Sequence, residues 1–143
     1  MVELSAEEKI ALSDIRAQKG RDMLSDASDT LRSSLFKTSI NRSCYATLHS
    51  ARSLLILKGI DPVQHDCVKT MLSLHFIKTK LLPENIMKDF KNLLSLRTDV
   101  DYGDFESVDK KDAEGALKKA ARFLKVIEQE RKKLIREMTS PAR

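Results

Sequence analysis

The sequence predicts an all-α protein, an antiparallel bundle of about five helices. Apolar residues recur three and four positions apart over long stretches. Only four Gly and three Pro interrupt 143 residues. Most of the periodic stretches are bracketed by helix start or stop signals, and their connections are short enough to turn neighbours antiparallel.

The elements follow in order. Ser5 to Glu8 has capping-box form, so the first helix should begin near Ala6. Its stripe of Ile10, Ala17, Leu24, Leu31 and Leu35 carries it to about Ser34, with Gly20 a weak point near the middle. Phe36 to Ser39 reads as a short connector. The second helix then runs to about Lys58, where Gly59 stops it. Asp61-Pro62 reads as the next start, with Asp as cap and Pro at the first helical position. That third helix carries Val68, Met71, Leu72 and Ile77. Leu82-Pro83-Glu84 restarts the chain into a fourth helix, with Ile86, Phe90, Leu93 and Leu94 inward, which ends at Tyr102-Gly103. After a polar loop, Asp109 opens a basic fifth helix over about 109–138. Its stripe reads Leu117, Ala120, Ala121, Leu124, Ile127, Leu134 and Ile135. Ser140 to Arg143 reads as a frayed tail. No repeat or second domain is visible, so one domain over 1–143 is expected.

Several classes of function are excluded at this level. With 41% apolar and 33% charged residues, the chain can bury a core and is not of disordered composition. No run of eighteen apolar residues occurs, so no membrane span is expected. The start, Met1 to Glu8, lacks the basic and then apolar regions of a signal peptide, which leaves the cytoplasm as the expected location. In that reducing compartment Cys44 and Cys67 are expected as thiols, Cys44 on the apolar stripe of its helix. There is no Gly-rich phosphate loop and no Gly-x-Ser-x-Gly turn. His65 and His75 have no Cys or carboxylate at metal-ligand spacing, so neither metal nor cofactor is expected.

The charge is unevenly placed. Net charge is +5, and from Asp109 onward there are eleven Lys or Arg against six Asp or Glu, which accounts for the whole excess. Lys118, Lys119, Arg122, Lys125, Arg131, Lys132, Lys133 and Arg136 suit a basic ridge for phosphates. They suit equally a solvated helix face laced with Glu128, Glu130 and Glu137.

The most informative stretch is Asn41 to His49. Arg42 and His49 are seven residues apart, close to two helical turns, so they leave the same side of a helix, roughly 20° apart, with Tyr45 roughly 60° away. Ile40, Cys44, Leu48, Ala51, Leu54 and Leu55 gather on the opposite side. Histidine suits proton transfer because its ordinary pKa, about 6.5, lies near working pH. A guanidinium stays charged and grips phosphate in a fork. Tyr45 suits stacking on a base or packing at a subunit interface. Asn41 and Arg52 flank the surface as phosphate contacts. Ala46, Ser53 and Ile56 lie on or beside it, a mixture that suggests a face meeting a second protomer. Arg97 and Asp101, one turn apart, suit an ion pair with Tyr102 as an anchor.

The run from Arg42 to Leu55 resembles the second helix of the HEPN domain, whose signature is an Arg, four to six residues, then a His. Arg97-Thr-Asp-Val-Asp101-Tyr102 resembles the Arg-x-x-Ala-Asp-Tyr element that ends the fourth helix in one HEPN subgroup, and His65 and His75 fall where that subgroup reads similarly. The likeness covers roughly Gly20 to Glu130. It implies a helical HEPN bundle and metal-independent RNA cleavage with Arg42 and His49 as the catalytic pair. Two motif faces would meet across a homodimer. It also implies a toxin whose partner is a minimal nucleotidyltransferase antitoxin. The alternative it allows is a non-catalytic module that binds nucleotide or a partner, with Arg42 and Arg52 on phosphate and Tyr45 on a base. Two positions depart from the pattern. Ser43 stands where nuclease members often carry Asn, Asp or His. Ser53 stands where some toxins carry the Tyr that receives a nucleotide, which leaves Tyr45 or Tyr102 for that part.

Overall fold

The computed structural model describes residues 3–102 and 108–140, with backbone only for 97–102. The described chain is helical throughout: α1 (Ala6–Arg32), α2 (Phe36–Leu55), α3 (His65–Leu72), α4 (Asn85–Tyr102) and α5 (Lys110–Thr139). The predicted polar loop beyond Gly103 and the residues after Ser140 lie outside the described residues.

Local chemistry sets most boundaries. Ser5 Oγ accepts from Glu8 N while Glu8 Oε1 accepts from Ser5 N, the reciprocal cap expected from the sequence. Asp109 and Asp112 make the same box for α5. α2 ends in a 3₁₀ turn, Ile56–Lys58, and Gly59 then takes a left-handed φ of 75° that a side chain would resist. α3 passes into a π turn, Ser73–Ile77, whose Phe76 is fully buried beneath the Lys58 ammonium, 4.8 Å from the ring centre.

Two local readings are corrected, and the placement of Cys67 is added. Phe36 to Ser39 is the first turn of α2 and not a connector, because Ser34 at φ 61° completes the reversal earlier. Asp61-Pro62 does not start α3, which begins four residues after Asp61 at His65; the Asp61 carboxylate is held elsewhere, as described below. Cys67 is exposed, although both cysteines are free thiols as expected.

α2 is the central element, packed against α1, α3, α4 and α5. Its large residues Leu48, Leu54 and Leu55 join Val68, Leu72, Phe76, Ile86, Phe90, Phe123 and Ile127 in the main core, where the Phe90 and Phe123 rings lie 5.2 Å apart. A second cluster of Ile40, Cys44, Leu93, Ala113, Ala116 and Ala120 closes the other end. Within α5 it is Phe123 that points inward, whereas Ala121, placed in the stripe by periodicity, faces solvent.

α1 departs furthest from its expected stripe. Leu35 lies beyond the helix and is exposed, and the residues α1 buries are small: Ser13, Ala17, Gly20 and Ala27. Small residues let the two backbones close up. A Cβ on Gly20 would sit 3.2 Å from the Ala46 carbonyl oxygen and 3.4 Å from the Ser50 nitrogen. Gly20 is therefore a contact point rather than a weak one. Buried hydroxyls complete the seam: Ser13 donates to the Ser53 carbonyl at 2.6 Å, and Ser39 to the Ala27 carbonyl at 2.7 Å.

Gly20 and Gly115 should therefore respond oppositely to substitution. A Cβ on Gly115 meets nothing within 4 Å, so Gly115→Ala should add about 0.5–1 kcal/mol through helix propensity. Gly20→Leu forces the two helices apart and should cost about 1–3 kcal/mol or more. Urea midpoints of the two variants check this. A Gly20→Leu protein as stable as the wild type would mean that α1 does not approach α2 as described.

Candidate functional site

α2 is enclosed around most of its circumference. The residues left half-exposed between Asn41 and Arg52 are Asn41, Arg42, Tyr45, His49 and Arg52, which share an arc of roughly 100° on the helix. The helix thus gathers the residues of the Arg42 to His49 motif on one open strip. Ala46, Ser53 and Ile56, expected on an intersubunit face, are instead buried within the chain. α1 covers Ala46 through Gly20 and Ser53 through Ser13. The strip consequently has α1 on one flank and the segment from Asp61 to His65 beside it. It is sheltered by its own fold and does not stand alone opposite the core.

An aromatic row runs along it. The Tyr45 ring centre lies 6.4 Å from that of His49 and 6.3 Å from that of His65, the second contact edge-on at 84°. His65, the first residue of α3, thereby joins the strip. Sequence spacing on α2 could not show this, because the connection depends on how the 59–64 segment folds back. Arg42 is separated from His49 by about 10 Å of helix rise, with Tyr45 between them, and it makes no hydrogen bond or ion pair with another described residue.

The other flank is cationic. Arg16 of α1 and Arg52 of α2 both reach Asp61 Oδ1, at 2.9 and 3.1 Å. Two guanidiniums and the Lys19 ammonium therefore lie within electrostatic reach of His49. The His49 imidazole is held below its ordinary pKa, first by burial, which disfavours the cation, and then by the charges of Lys19, Arg52 and Arg16. At neutral pH it is the uncharged base, with a lone pair free to accept a proton. Arg16 and Lys19 escaped sequence reasoning because they come from another helix, and Asp61 because its Asp-Pro context signals a cap.

Of the remaining candidates, three have side chains outside the described residues and two are engaged elsewhere. Arg97, Asp101 and Tyr102 fall on the last turns of α4, but their side chains lie outside the described residues. Two members of the expected basic ridge are engaged internally. Arg122 forks onto Asp89 at 2.9 Å twice. Arg131 is buried and bonds Glu128, Asp14 and Ser13, which ties α5 to α1. Arg131 is buried and so has to be paired, whereas Arg122 is half-exposed and serves the buried Asp89 carboxylate. Among the described residues no group of three or more His, Cys, Asp or Glu is placed to hold a metal ion, and no helix is long and apolar enough to cross a membrane.

Comparison with known proteins identifies the family. The sequence profile of the HEPN domain matches residues 14–131, which includes α2 and most of α5. A UPF0332 protein of Thermotoga maritima is 26% identical over 111 residues, 78% of this chain and 84% of that protein. A protein of Methanocaldococcus jannaschii described as a candidate toxin is 27% identical over 112 residues, 78% of this chain and 83% of its own length. A UPF0332 protein of Pyrococcus horikoshii is 43% identical over a shorter stretch of 56 residues, 39% of each chain.

The state of His49 is directly measurable. In an NMR titration its imidazole should ionise below pH 6.5, since burial and three cations oppose the charged form. Arg52→Ala removes one of those cations and should move the midpoint upward. A midpoint at or above 6.5 in the wild type would show that the fold neither desolvates the ring nor places positive charge beside it.

Proposed function

The chain belongs to the HEPN domain family, and on that premise we propose that it is a metal-independent endoribonuclease acting as the toxin of a toxin–antitoxin pair. The observation that carries this reading is a half-buried His49, its pKa held down by burial and neighbouring cations, on the same open strip as an uncommitted Arg42. In the proposed reaction the RNA 2′-hydroxyl attacks the adjacent phosphorus. His49 accepts the hydroxyl proton and returns it to the departing 5′-oxygen, while Arg42 offsets the charge that grows on the phosphate oxygens. The products are a 2′,3′-cyclic phosphate and a 5′-hydroxyl. Tyr45, between the two, offers a ring face for a base, which suits a site with little sequence preference; Asn41 and Arg52 flank it as backbone contacts.

Partner and assembly follow from the same strip. Arg42 and His49 stand about 10 Å apart along one helix, so pairing two strips across a homodimer would bring a second Arg42 toward each His49. The likeness to a candidate toxin supports an antitoxin partner, with a nucleotidyltransferase as the expected kind. A second reading, a non-catalytic module that binds nucleotide or a partner, is favoured by the row of His49, Tyr45 and His65, which is a stacking platform whether or not a bond is cut.

Incubation of the purified protein with RNA in EDTA separates the two. The nuclease reading expects cleavage to persist, because a His transfers protons without metal. It also expects DNA to survive for want of the attacking 2′-hydroxyl. His49→Ala and Arg42→Ala should each lower the rate about 100-fold or more, with thermal midpoints near that of the wild type, since both side chains are half-exposed. Cleavage that stops with EDTA, or continues in His49→Ala, rules the mechanism out. Protein that binds nucleotide through Arg42 but cuts no RNA establishes the second reading, and a light-scattering mass of one chain removes the paired-strip argument.

A further inference from the structure

The Asp61 ion pairs are incomplete in a way that suggests what else they receive. One carboxylate oxygen, Oδ1, serves both Arg16 Nη1 and Arg52 Nη2. Arg52 Nε is buried with no acceptor, and Arg16 Nη1 lies close to the carboxylate without the alignment of a hydrogen bond. Two forked donors thus converge on a single atom, and part of their donor capacity is unused. The guanidiniums are anchored on two packed helices and their side chains are only 14% and 21% exposed, whereas Asp61 is 47% exposed and stands in the non-helical segment between Gly59 and α3. The arginines are fixed and the carboxylate is the part with room to leave. Asp61 also lines a cavity of about 610 Å³ with Lys9, Lys58 and Glu3, next to the two arginines but not lined by them, so the carboxylate has open space to move into.

We propose that Arg16 and Arg52 form a phosphate-binding subsite beside the Arg42 to His49 strip, with Asp61 as a resident carboxylate that an incoming phosphate displaces. A phosphate presents several oxygens in place of one and can take both forks at once. Two guanidiniums, Arg16 and Arg52, face the single Asp61 carboxylate, so the pair of arginines keeps a positive surplus while Asp61 is in place. The ligand is the phosphate of an RNA backbone, next to the one at His49, or of a free nucleotide. This inference rests on the RNA-directed reading for its choice of ligand and on nothing else in it.

Binding, read without cleavage, tests it. The probe is a fluorescein-labelled 2′-O-methyl oligonucleotide, which lacks the attacking hydroxyl, measured by anisotropy in low salt with AMP and inorganic phosphate as competitors. Arg16→Ala should weaken binding by about tenfold and flatten the dependence of log Kd on log salt by about one unit, as loss of one phosphate contact does. Arg16→Lys should recover part of that. Asp61→Asn removes the competing charge and should tighten binding about threefold or more. AMP displacing the probe at low concentration marks a mononucleotide site, and weak displacement marks an RNA backbone site. Asp61→Asn that binds no tighter than wild type, or that fails to fold by circular dichroism, overturns the proposal, as does Arg16→Ala with unchanged binding. Wild-type protein that shows this pattern yet cuts no RNA keeps the subsite and loses the nuclease. Cleavage with no effect of Arg16 or Asp61 does the reverse.

Discussion

The close approach of α1 to α2 is the constraint on which the rest of the molecule depends. It is possible only because α1 offers Ser13, Ala17, Gly20 and Ala27 where a bundle helix ordinarily offers leucines. α2 answers with Ser39, Ala46, Ser50 and Ser53. Bringing two helices this close buries hydroxyls: those of Ser13 and Ser39 donate to carbonyls across the seam, and that of Ser53 to the Ser50 carbonyl of its own helix. Ser13 shows the economy of the arrangement. Its hydroxyl donates to the Ser53 carbonyl on α2 and accepts from Arg131 on α5, so three helices share one hydrogen-bonded chain. Larger residues along the seam would fill the same space only by moving α1 outward and uncovering Ala46 and Ser53.

The chemistry of the strip is a consequence of that packing. Because α1 lies hard against one edge of the strip, Arg16 and Lys19 are brought within reach of His49 and the imidazole loses part of its water. Both effects favour the neutral ring. A histidine at the same place on an isolated amphipathic helix would keep its ordinary pKa and be mostly protonated at mildly acidic pH. The fold therefore extends toward lower pH the neutral state that a proton acceptor requires. It also leaves Arg42, further toward the start of α2, without a partner among the described residues, so its charge is available to a ligand.

What the sequence reveals of this molecule is what depends on neighbours along the chain. The caps at Ser5 and Asp109, the stop at Gly59, the buried Leu48, Leu54 and Leu55, and the common side of Arg42, Tyr45 and His49 all follow from spacings of seven residues or fewer. What it conceals depends on a partner far along the chain. Asp-Pro at 61–62 carries a sound local signal for a helix start, and it fails because Arg16 and Arg52 claim the carboxylate. Gly20 reads as a flaw because propensity knows nothing of Ala46, which it touches. Ala46 and Ser53 sit on the motif side of α2 by angle, yet nothing local says that α1 will cover them. His65 is sixteen positions beyond His49, and only the return of the 59–64 segment brings it to Tyr45.

The distribution of charge was the most deceptive of these signals, and its correction bears on where a nucleic acid would lie. By count, the positive excess belongs to α5, which makes that helix the natural phosphate-binding face. By structure, Arg122 is neutralised by Asp89 and Arg131 by Glu128 and Asp14, so two of its strongest phosphate ligands hold the bundle together. Around His49 the balance runs the other way. Arg16 and Arg52 share one carboxylate, Asp61, Lys19 stands within electrostatic reach of His49, and Arg42 lies on the same strip of α2. Binding of a polyanion follows the charge left unpaired at a surface, and counting residues by segment does not measure it. The surplus that a phosphate would meet lies beside the motif strip, next to a histidine whose pKa the fold has lowered.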